Sequence, residues 1–470
     1  MADLLSILAQ SATSLAAQQA ITATASHNIQ NASTPGYSRQ TAVLQTTLPA
    51  EQVSGAWIGQ GSQLQTVTQA RDKFLEAQIP AQLGLAAQSS ATSGMLGAVS
   101  ALDPGAANGL GSQLDGFYAA LRGLAQNPSD PGLRATAVQA ANRLAQSFQS
   151  TRASLEAARS GADATVSADL TQVNALAAQV ADLNGQIRTA KASGGSPNDL
   201  LDARQSAVDK LAKLTGVSPV PTSDGDVSLF LPGGAALVSG LSASTLGAQA
   251  DPANAGHLAV TLTGPGGQVQ AFTGIGGEMG GAIGARDGAL KSSVDAVDAL
   301  AWDMGGAVNA IHQAGFGLDG TTGDPLFTLG TSAAGAAATI AVNAAVAADP
   351  RRLAAASAST GPTSAAPGDI GNLKLLLGTG TTALSNGLTA TDGLAKITSD
   401  FGVAASAASA LSDHDAAMSK SLTTLRDSTS GVSIDEELIT LQQAQRGYQA
   451  ISRVIQTSSA MLDTLMSLKT

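Results

Sequence analysis

The strongest constraint on this chain is a seven-residue period at its two ends. In GVSIDEELITLQQAQRGYQAISRVIQTSSAMLDTLMSLKT, Ile434, Leu441, Tyr448, Ile455 and Leu462 fall seven apart. Ala444, Ile451, Ser458 and Leu465 fall three places after the last four of these. That is the a/d seam of a coiled-coil helix. The first thirty residues repeat it more weakly, with Leu8, Leu15, Thr22 and Ile29 on one line and Leu4, Ser11, Gln18 and Ala25 four places earlier. Neither seam is apolar enough to hold a lone helix in water, where isolated helices are marginal. The two ends are therefore expected to pair, and to gain more by packing with further copies. A simple contact between the ends of a monomer is the alternative.

The chain is long enough, at 470 residues, to bury more than one core. Only 13% of residues are charged, and alanine, glycine, serine and threonine take the place of a charged surface. Such a surface suits a chain that ends up against copies or neighbours, as in an exported polymer subunit; drift toward GC-rich codons is the alternative. Cysteine is absent, which excludes disulfides and thiolate zinc sites. A net charge of −11 argues against nucleic-acid binding, which needs a basic footprint. No run of eighteen apolar residues exists, so no membrane insertion is expected. MADLLSILAQSATS has no basic leader region, so export without a cleaved signal peptide is expected.

Between the ends the periodicity changes twice. Residues 3–30 predict a helix that NASTPGYSRQ breaks, and residues 40–68 lean extended. Residues 69–100 predict a helix broken near Pro80. Leu110, Leu114, Phe117, Leu121 and Leu124 line one face of the next. After NPSDPG, Asp130 and Pro131 open a long helix to about residue 190, with a possible break at Gly161. Residues 199–215 predict another, stopped by Gly216. From residue 217 the period becomes two, in short runs split by Gly, Pro, Asp and Asn. Helix returns at 280–314, an extended stretch follows near 325–343, and 380–427 is helical but poor in large apolar residues.

The expected architecture is multidomain and mainly α: paired terminal coiled-coil helices, an elongated helical-bundle rod and an inserted small antiparallel β domain. Its parts are residues 1–39, a first rod segment 40–216, the β-rich outer domain 217–274, a second rod segment 275–429 with short extended pieces near 325–376, and residues 430–470.

No constellation for catalysis is visible. His27, His257, His312 and His414 stand alone in sequence, with no metal-ligand spacing. His27 and His312 read as partly buried polar residues on helices. GIGGEMGGAIGARDG, residues 274–288, lacks the lysine of a phosphate loop. Asp319 and Asp324 lack the ligand spacing of a calcium loop and read as turn residues. Neither a cofactor nor a metal is expected. Arg286 and Asp287 are charges in a charge-poor, glycine-rich stretch. They are expected either to hold a domain junction by bidentate hydrogen bonds or to form a solvated pair.

ATASHNIQNASTPGYSRQ resembles the rod–hook signature, in which an alanine-rich helix ends in SxNIxNxxTxGYxRQ. NPSDPGLRATAVQAANRLAQSF, NDLLDARQSAVDKLAKLTGV, GGAIGARDGAL, DALAWDMGGAVNAIHQAGFGLDGTTGDPLF and the tail 430–468 resemble blocks of one family of that class, flagellar hook-associated protein 1 (FlgK). The family's glycine-rich RD and NxxHxxGxxxxG motifs fall on Arg286, Asp287, Asn309, His312, Gly315 and Gly320. The chain looks shorter than larger relatives after Phe327, which puts a second β domain in doubt.

The resemblance implies a structural subunit at the flagellar hook–filament junction, exported by the flagellar type III system and located outside the cell. It implies a homo-oligomeric junction assembly flanked by hook protein and by the second hook-associated junction protein. It also implies a cytoplasmic export chaperone on the C-terminal helix. Leu4, Leu8, Leu15, Ile29, Ile434, Leu441, Tyr448, Ile451, Ile455, Leu462 and Leu465 are the expected assembly residues. Hook protein or another axial subunit is the alternative; a secreted adhesin or enzyme on the same scaffold is a remoter one.

Overall fold

The structure, a computed structural model, describes residues 2–47, 51–53, 56–58, 61–103, 109–361, 364–365 and 367–467. Of the expected C-terminal segment 430–470, Leu468–Thr470 lie outside the described residues.

Helix α1, Ala2–Asn31, leads into antiparallel strands β1, Gln40–Thr46, β2, Glu51–Val53, β3, Ala56–Ile58, and β4, Ser62–Gln69. Strand β1 pairs with β4 from Gln40↔Gln69 outward. Helix α2, Lys73–Gly97, starts at Asp72, whose carboxylate accepts the N–H groups of Phe74 and Leu75. It runs through Pro80 unbroken, against expectation. A proline removes one helical donor and crowds the preceding turn; here Ile79 and Pro80 are both buried, and tertiary packing outweighs that local cost.

Helices α3, Leu110–Gln126, and α4, Pro131–Ala192, form the base of the rod. Asp130 caps α4 by accepting the N–H groups of Gly132 and Leu133, with Pro131 in the first turn. At 62 residues α4 is about 93 Å long at the usual helical rise. It passes Gly161 without a break. A mid-helix glycine costs only about 1 kcal/mol, and the neighbouring Ala162 and Val166 are fully buried. Helix α5, Asn198–Thr215, ends at Gly216, which takes φ 70° and lies against the backbone of Gly276 and Gly277.

The inserted β region holds two small antiparallel sheets. Strands β5, Ser218–Pro221, β6, Val227–Phe230, β7, Ala236–Ser239, and β8, Ser242–Ala243, lie in sequential order. Strands β9, Thr245–Ala250, β10, Leu258–Thr263, and β11, Val269–Ala271, form the second sheet with β10 central. The chain then re-enters helix in α6, Gly277–Ala285, makes one π-turn over Arg286–Leu290 and continues as α7, Lys291–Ala314.

The stretch expected to be extended is only partly so. Strands β12, Phe327–Thr328, and β13, Ala341–Val342, pair, as do β14, Ser359–Gly361, and β15, Ser364–Ala365. Three helices share the region: α8, Ala336–Thr339, α9, Ala344–Ala348, and α10, Gly371–Gly378. Short alanine- and leucine-rich runs carry no clear period, and burial of Ala336, Ala337, Leu373 and Leu376 decides their conformation. Helices α11, Ala390–Ser430, and α12, Ile434–Ser467, close the chain.

Two hydrophobic cores share α4. One joins α3 and the first half of α4 to α7, α8, α10 and the start of α11, around Phe117, Phe148 and Phe327. The other joins the second half of α4 to α5, the two sheets and α6, around Val173, Leu211, Leu229 and Met279. Neither contains a residue of α1 or α12.

Candidate functional site: the paired terminal helices and the Arg286 junction

Helices α1 and α12 pack on each other. Arg39 reaches Glu436 and Glu437 at one end, while Gln18 lies against Gly447 further along, so the two helices run antiparallel. The seam is made of small and polar groups. Ser11, Ala17, Ala25 and Asn28 are buried on α1, and Ala444 and Ser458 on α12. Leu4, Leu8, Leu15, Ile29, Leu441, Ile451, Ile455 and Leu462 are only half-buried at this interface. Ile434, Tyr448 and Leu465 are exposed. A second set of apolar side chains points away from the pair: Leu5, Leu438, Val454, Met461 and Met466 are exposed as well, Met466 by 60%.

Arg286 and Asp287 lie at the meeting of rod, sheets and α6. Arg286 is 3% exposed. Its Nε and Nη2 donate to the two carboxylate oxygens of Asp287 at 2.8 and 2.7 Å. Its Nη1 donates to Asp163 of α4 and, at 2.8 Å, to the carbonyl of Leu258 at the start of β10. Around it, Arg159 of α4 donates to Asn254 and to the carbonyl of Arg286, and Asn254 donates to Asp287. His257 is hydrogen-bonded through Nδ1 to Asp163 and through Nε2 to Glu156, at 2.6 and 2.8 Å. Burial pushes the carboxyls of Glu156, Asp163 and Asp287 up, yet hydrogen bonds from His257, Arg286, Arg159 and Asn254 hold all three below the usual carboxylate range. Every charge in this cluster has a partner, which is what makes its burial tolerable.

His312, on α7, is a buried structural residue. Its Nδ1–H donates to the carbonyl of Asp324, and its Nε2 accepts the N–H of Ala354, so the ring is held neutral. Burial, opposed by the Asp324 carbonyl and carboxylate, lowers its pKa. Asn309, one turn earlier, both donates to and accepts from the backbone of Phe327. Asp319 bonds Thr321 in its own turn, and Asp324 pairs with Arg352. His27 bonds Tyr37, and His414 is exposed on α11. Among the described residues no group of three or more His, Asp or Glu side chains is placed to hold a metal ion. No described helix is long and apolar enough to cross a membrane.

A third cluster went unmarked as a site in the sequence reading. Asn28 folds the loop after α1 back on itself: it donates to the carbonyl of Gln40 and accepts the Gln40 N–H and the Tyr37 hydroxyl. Gln40 in turn bonds Asp199 and Asn198 of α5. Asn28, Tyr37, Arg39 and Gln40 belong to the rod–hook signature, and Asn198, Asp199 and Asp202 open the NDLLDARQ block. The two motifs carried the signal separately; their contact, across 160 residues of chain, is a tertiary fact.

A rod of long helices with an inserted β region, bearing its two chain ends as one helix pair, has the form of a flagellar axial protein. A model described as the flagellar hook-associated protein FlgK helical domain matches residues 96–327, and one described as the flagellar basal body rod FlgEFG protein C-terminal matches residues 426–468. The chain is 30% identical over 337 residues to flagellar hook-associated protein 1 of Salmonella typhimurium, a match covering 69% of this chain and 60% of that protein. With the Bacillus subtilis protein of that name it shares 27% identity over 96% of each chain. The chain thus spans less than two thirds of the length of the Salmonella relative, but nearly all of the Bacillus one. The solved flagellar hook junction protein FlgK of Burkholderia pseudomallei has the same fold, with a TM-score of 0.66 at 18% identity, covering 76% of this chain and 100% of that one. Over most of its length the chain is thus similar to proteins of the flagellar hook-associated protein 1 family.

Proposed function

We propose that this protein is a structural subunit of the bacterial flagellum, not an enzyme, that forms the junction between hook and filament. The observation that carries the reading is the terminal helix pair. It buries a seam of alanine, serine and half-covered leucines, and leaves Leu5, Leu438, Val454, Met461 and Met466 in solvent. Such a pair is incomplete alone and gains burial from neighbouring subunits. The residues named for assembly, from Leu4 to Ile29 and from Ile434 to Leu465, act there as inner-layer contacts. Arg286 and Asp287 hold the outer β region on the rod. The protein is exported by the flagellar type III route, with a chaperone on α12 before export, and sits between hook protein and the second junction protein.

Deleting residues 431–470 tests this. The truncated chain is expected to keep a folded rod and β region by circular dichroism, and to be missing from the hook–filament boundary in electron micrographs of complemented cells. Normal junctions built from the truncated chain would sink the reading.

A further inference from the structure

Neither hydrophobic core fixes the direction in which the terminal pair leaves the rod. Among the described residues, neither hydrophobic core includes one before Met95 or after Ala408, even among the half-buried side chains packed against them. The joint is polar instead, and one carboxylate lies at its centre. Asp202, 9% exposed on the first turns of α5, accepts the backbone N–H of Ser38 at 3.2 Å through Oδ2. Through Oδ1 it accepts Arg71 Nη2 at 2.8 Å. Ser38 lies in the loop that follows α1, and Arg71 lies just before α2 and also pairs with Glu76. The next residue, Arg39, binds the start of α12, its Nε donating to Glu437 at 2.7 Å and its Nη1 to Glu436 at 2.9 Å, while its N–H donates to the carbonyl of Ser430 at the end of α11. Asp202 thus touches the one loop that holds both terminal helices, and ties it to the rod. Beside it a pocket of about 380 Å³, lined by His27, Tyr37, Asp199 and Ser206 among others, leaves the loop without close packing.

We propose that Asp202 is a positioning residue that sets the angle between the terminal helix pair and the rod. Apolar contacts tolerate sliding, whereas hydrogen bonds to a buried carboxylate are directional and charge-assisted. Two such bonds from two different segments define an orientation. The proposal rests on the assembly reading above only for its purpose: a layered subunit must present its inner helices at one angle to its outer rod.

The absence of cysteine allows clean labelling. Nitroxides on Gln19→Cys of α1 and Gln172→Cys of α4, both at exposed positions, report the angle by pulsed dipolar spectroscopy on the purified full chain. The parent is expected to give one narrow distance. Asp202→Ala is expected to lose it to a broad distribution, with the rod melting temperature unchanged. Asp202→Asn, isosteric and safer for folding, should broaden it too, because an amide offers one acceptor oxygen to two donors. Asp182→Ala, which removes an exposed carboxylate of α4 that bonds Gln186 and lies outside the joint, should leave it narrow. A narrow distance retained in both Asp202 variants, or a broad one already in the parent, would overturn the proposal. Because these measurements need no flagellum, they stand apart from the localisation of the protein in cells. A parent chain with one narrow distance that is absent from the hook–filament boundary would defeat the functional reading alone.

Discussion

The terminal helix pair and the rod are built from the same few residue types, yet they reach helix by different means. In the rod, Leu114, Phe117, Leu121, Leu144, Phe148 and Leu155 are all but fully buried, and the apolar faces of α3 and α4 are covered within the chain. In the pair, the best-buried apolar positions are Ala17, Ala25 and Ala444. The difference is in apolar area removed from water, at about 25 cal/mol per Å². A helix that buries leucine and phenylalanine is stable within its own chain; one that buries alanine and serine stays near the margin until something else covers it. The rod is therefore closed within the chain, whereas the pair leaves Leu5, Leu438, Val454, Met461 and Met466 uncovered.

The comparison breaks most visibly under truncation of core side chains. Phe148→Ala is expected to destabilise the rod by about 3–5 kcal/mol, as for other buried phenylalanines. Leu441→Ala, at the half-buried seam, should cost the isolated chain under about 1 kcal/mol. Urea unfolding followed by circular dichroism separates them. Limited proteolysis of the same isolated chain should cut first within about residues 1–35 and 435–470, since weakly buried elements open locally at low cost. Termini that survive as long as α4 in a confirmed monomer would erase the distinction between the two regions.

Arg286 gives a smaller effect, confined to the closed part. Removing its side chain leaves Asp163 and Asp287 without their guanidinium and the Leu258 carbonyl without its donor. Arg286→Ala should cost about 1–3 kcal/mol in the rod and β region, with the terminal pair unaffected. A loss below about 0.5 kcal/mol, the range of surface substitutions, would reduce the cluster to a solvated network.

The smallest effect is in pH. His312 is lowered by burial, so the unfolded chain takes up a proton that the folded chain resists. Its contribution is complete above the unfolded value of about 6.5 and is lost as pH falls below it. Asp169 acts in the opposite sense. Burial, and then the charge of Glu278, raise its carboxyl to about 6, and one of its oxygens is buried without a hydrogen-bond partner among the described residues. Its ionisation therefore weakens the fold as pH rises from its unfolded value toward 6 and beyond. His312→Asn should flatten the loss of stability between pH 7 and 5, and Asp169→Asn should stabilise the chain at pH 7. Both changes should appear in the melting of the rod and not in the proteolysis of the ends. The paired carboxylates around Arg286 lie below this window, their pKa values being depressed.

Much of the fold was legible where one local rule acts alone. Asp130 and Pro131 start α4, and Gly216 stops α5, because caps and left-handed turns are set by a residue and its immediate neighbours. The heptads at 434–465 and the alternation after residue 217 are likewise properties of a short window. Pro80 and Gly161 misled for the complementary reason: both carry a local penalty that buried neighbours several turns or many residues away override. The π-turn at 286–290, where Gly288 leaves helical geometry, has no signal beyond the glycine itself. The candidate sites divide in the same way. The place of Arg286 in a charge-poor, glycine-rich stretch marked it for attention, but its partners Asp163 and Leu258 come from other elements and cannot be read from the stretch.

The sequence by itself determined the helical ends, the caps, the change of period at the β region and the family, since each rests on residues close together in the chain. Tertiary structure alone decided that Asp202 would meet Ser38 and Arg71, and that Arg39 would meet Glu436 and Glu437 nearly 400 residues away. Hydrogen bonds and ion pairs act over a few ångströms in space, whatever the distance along the chain, so a charged residue's spacing in sequence carries no information about the partner that makes its burial possible.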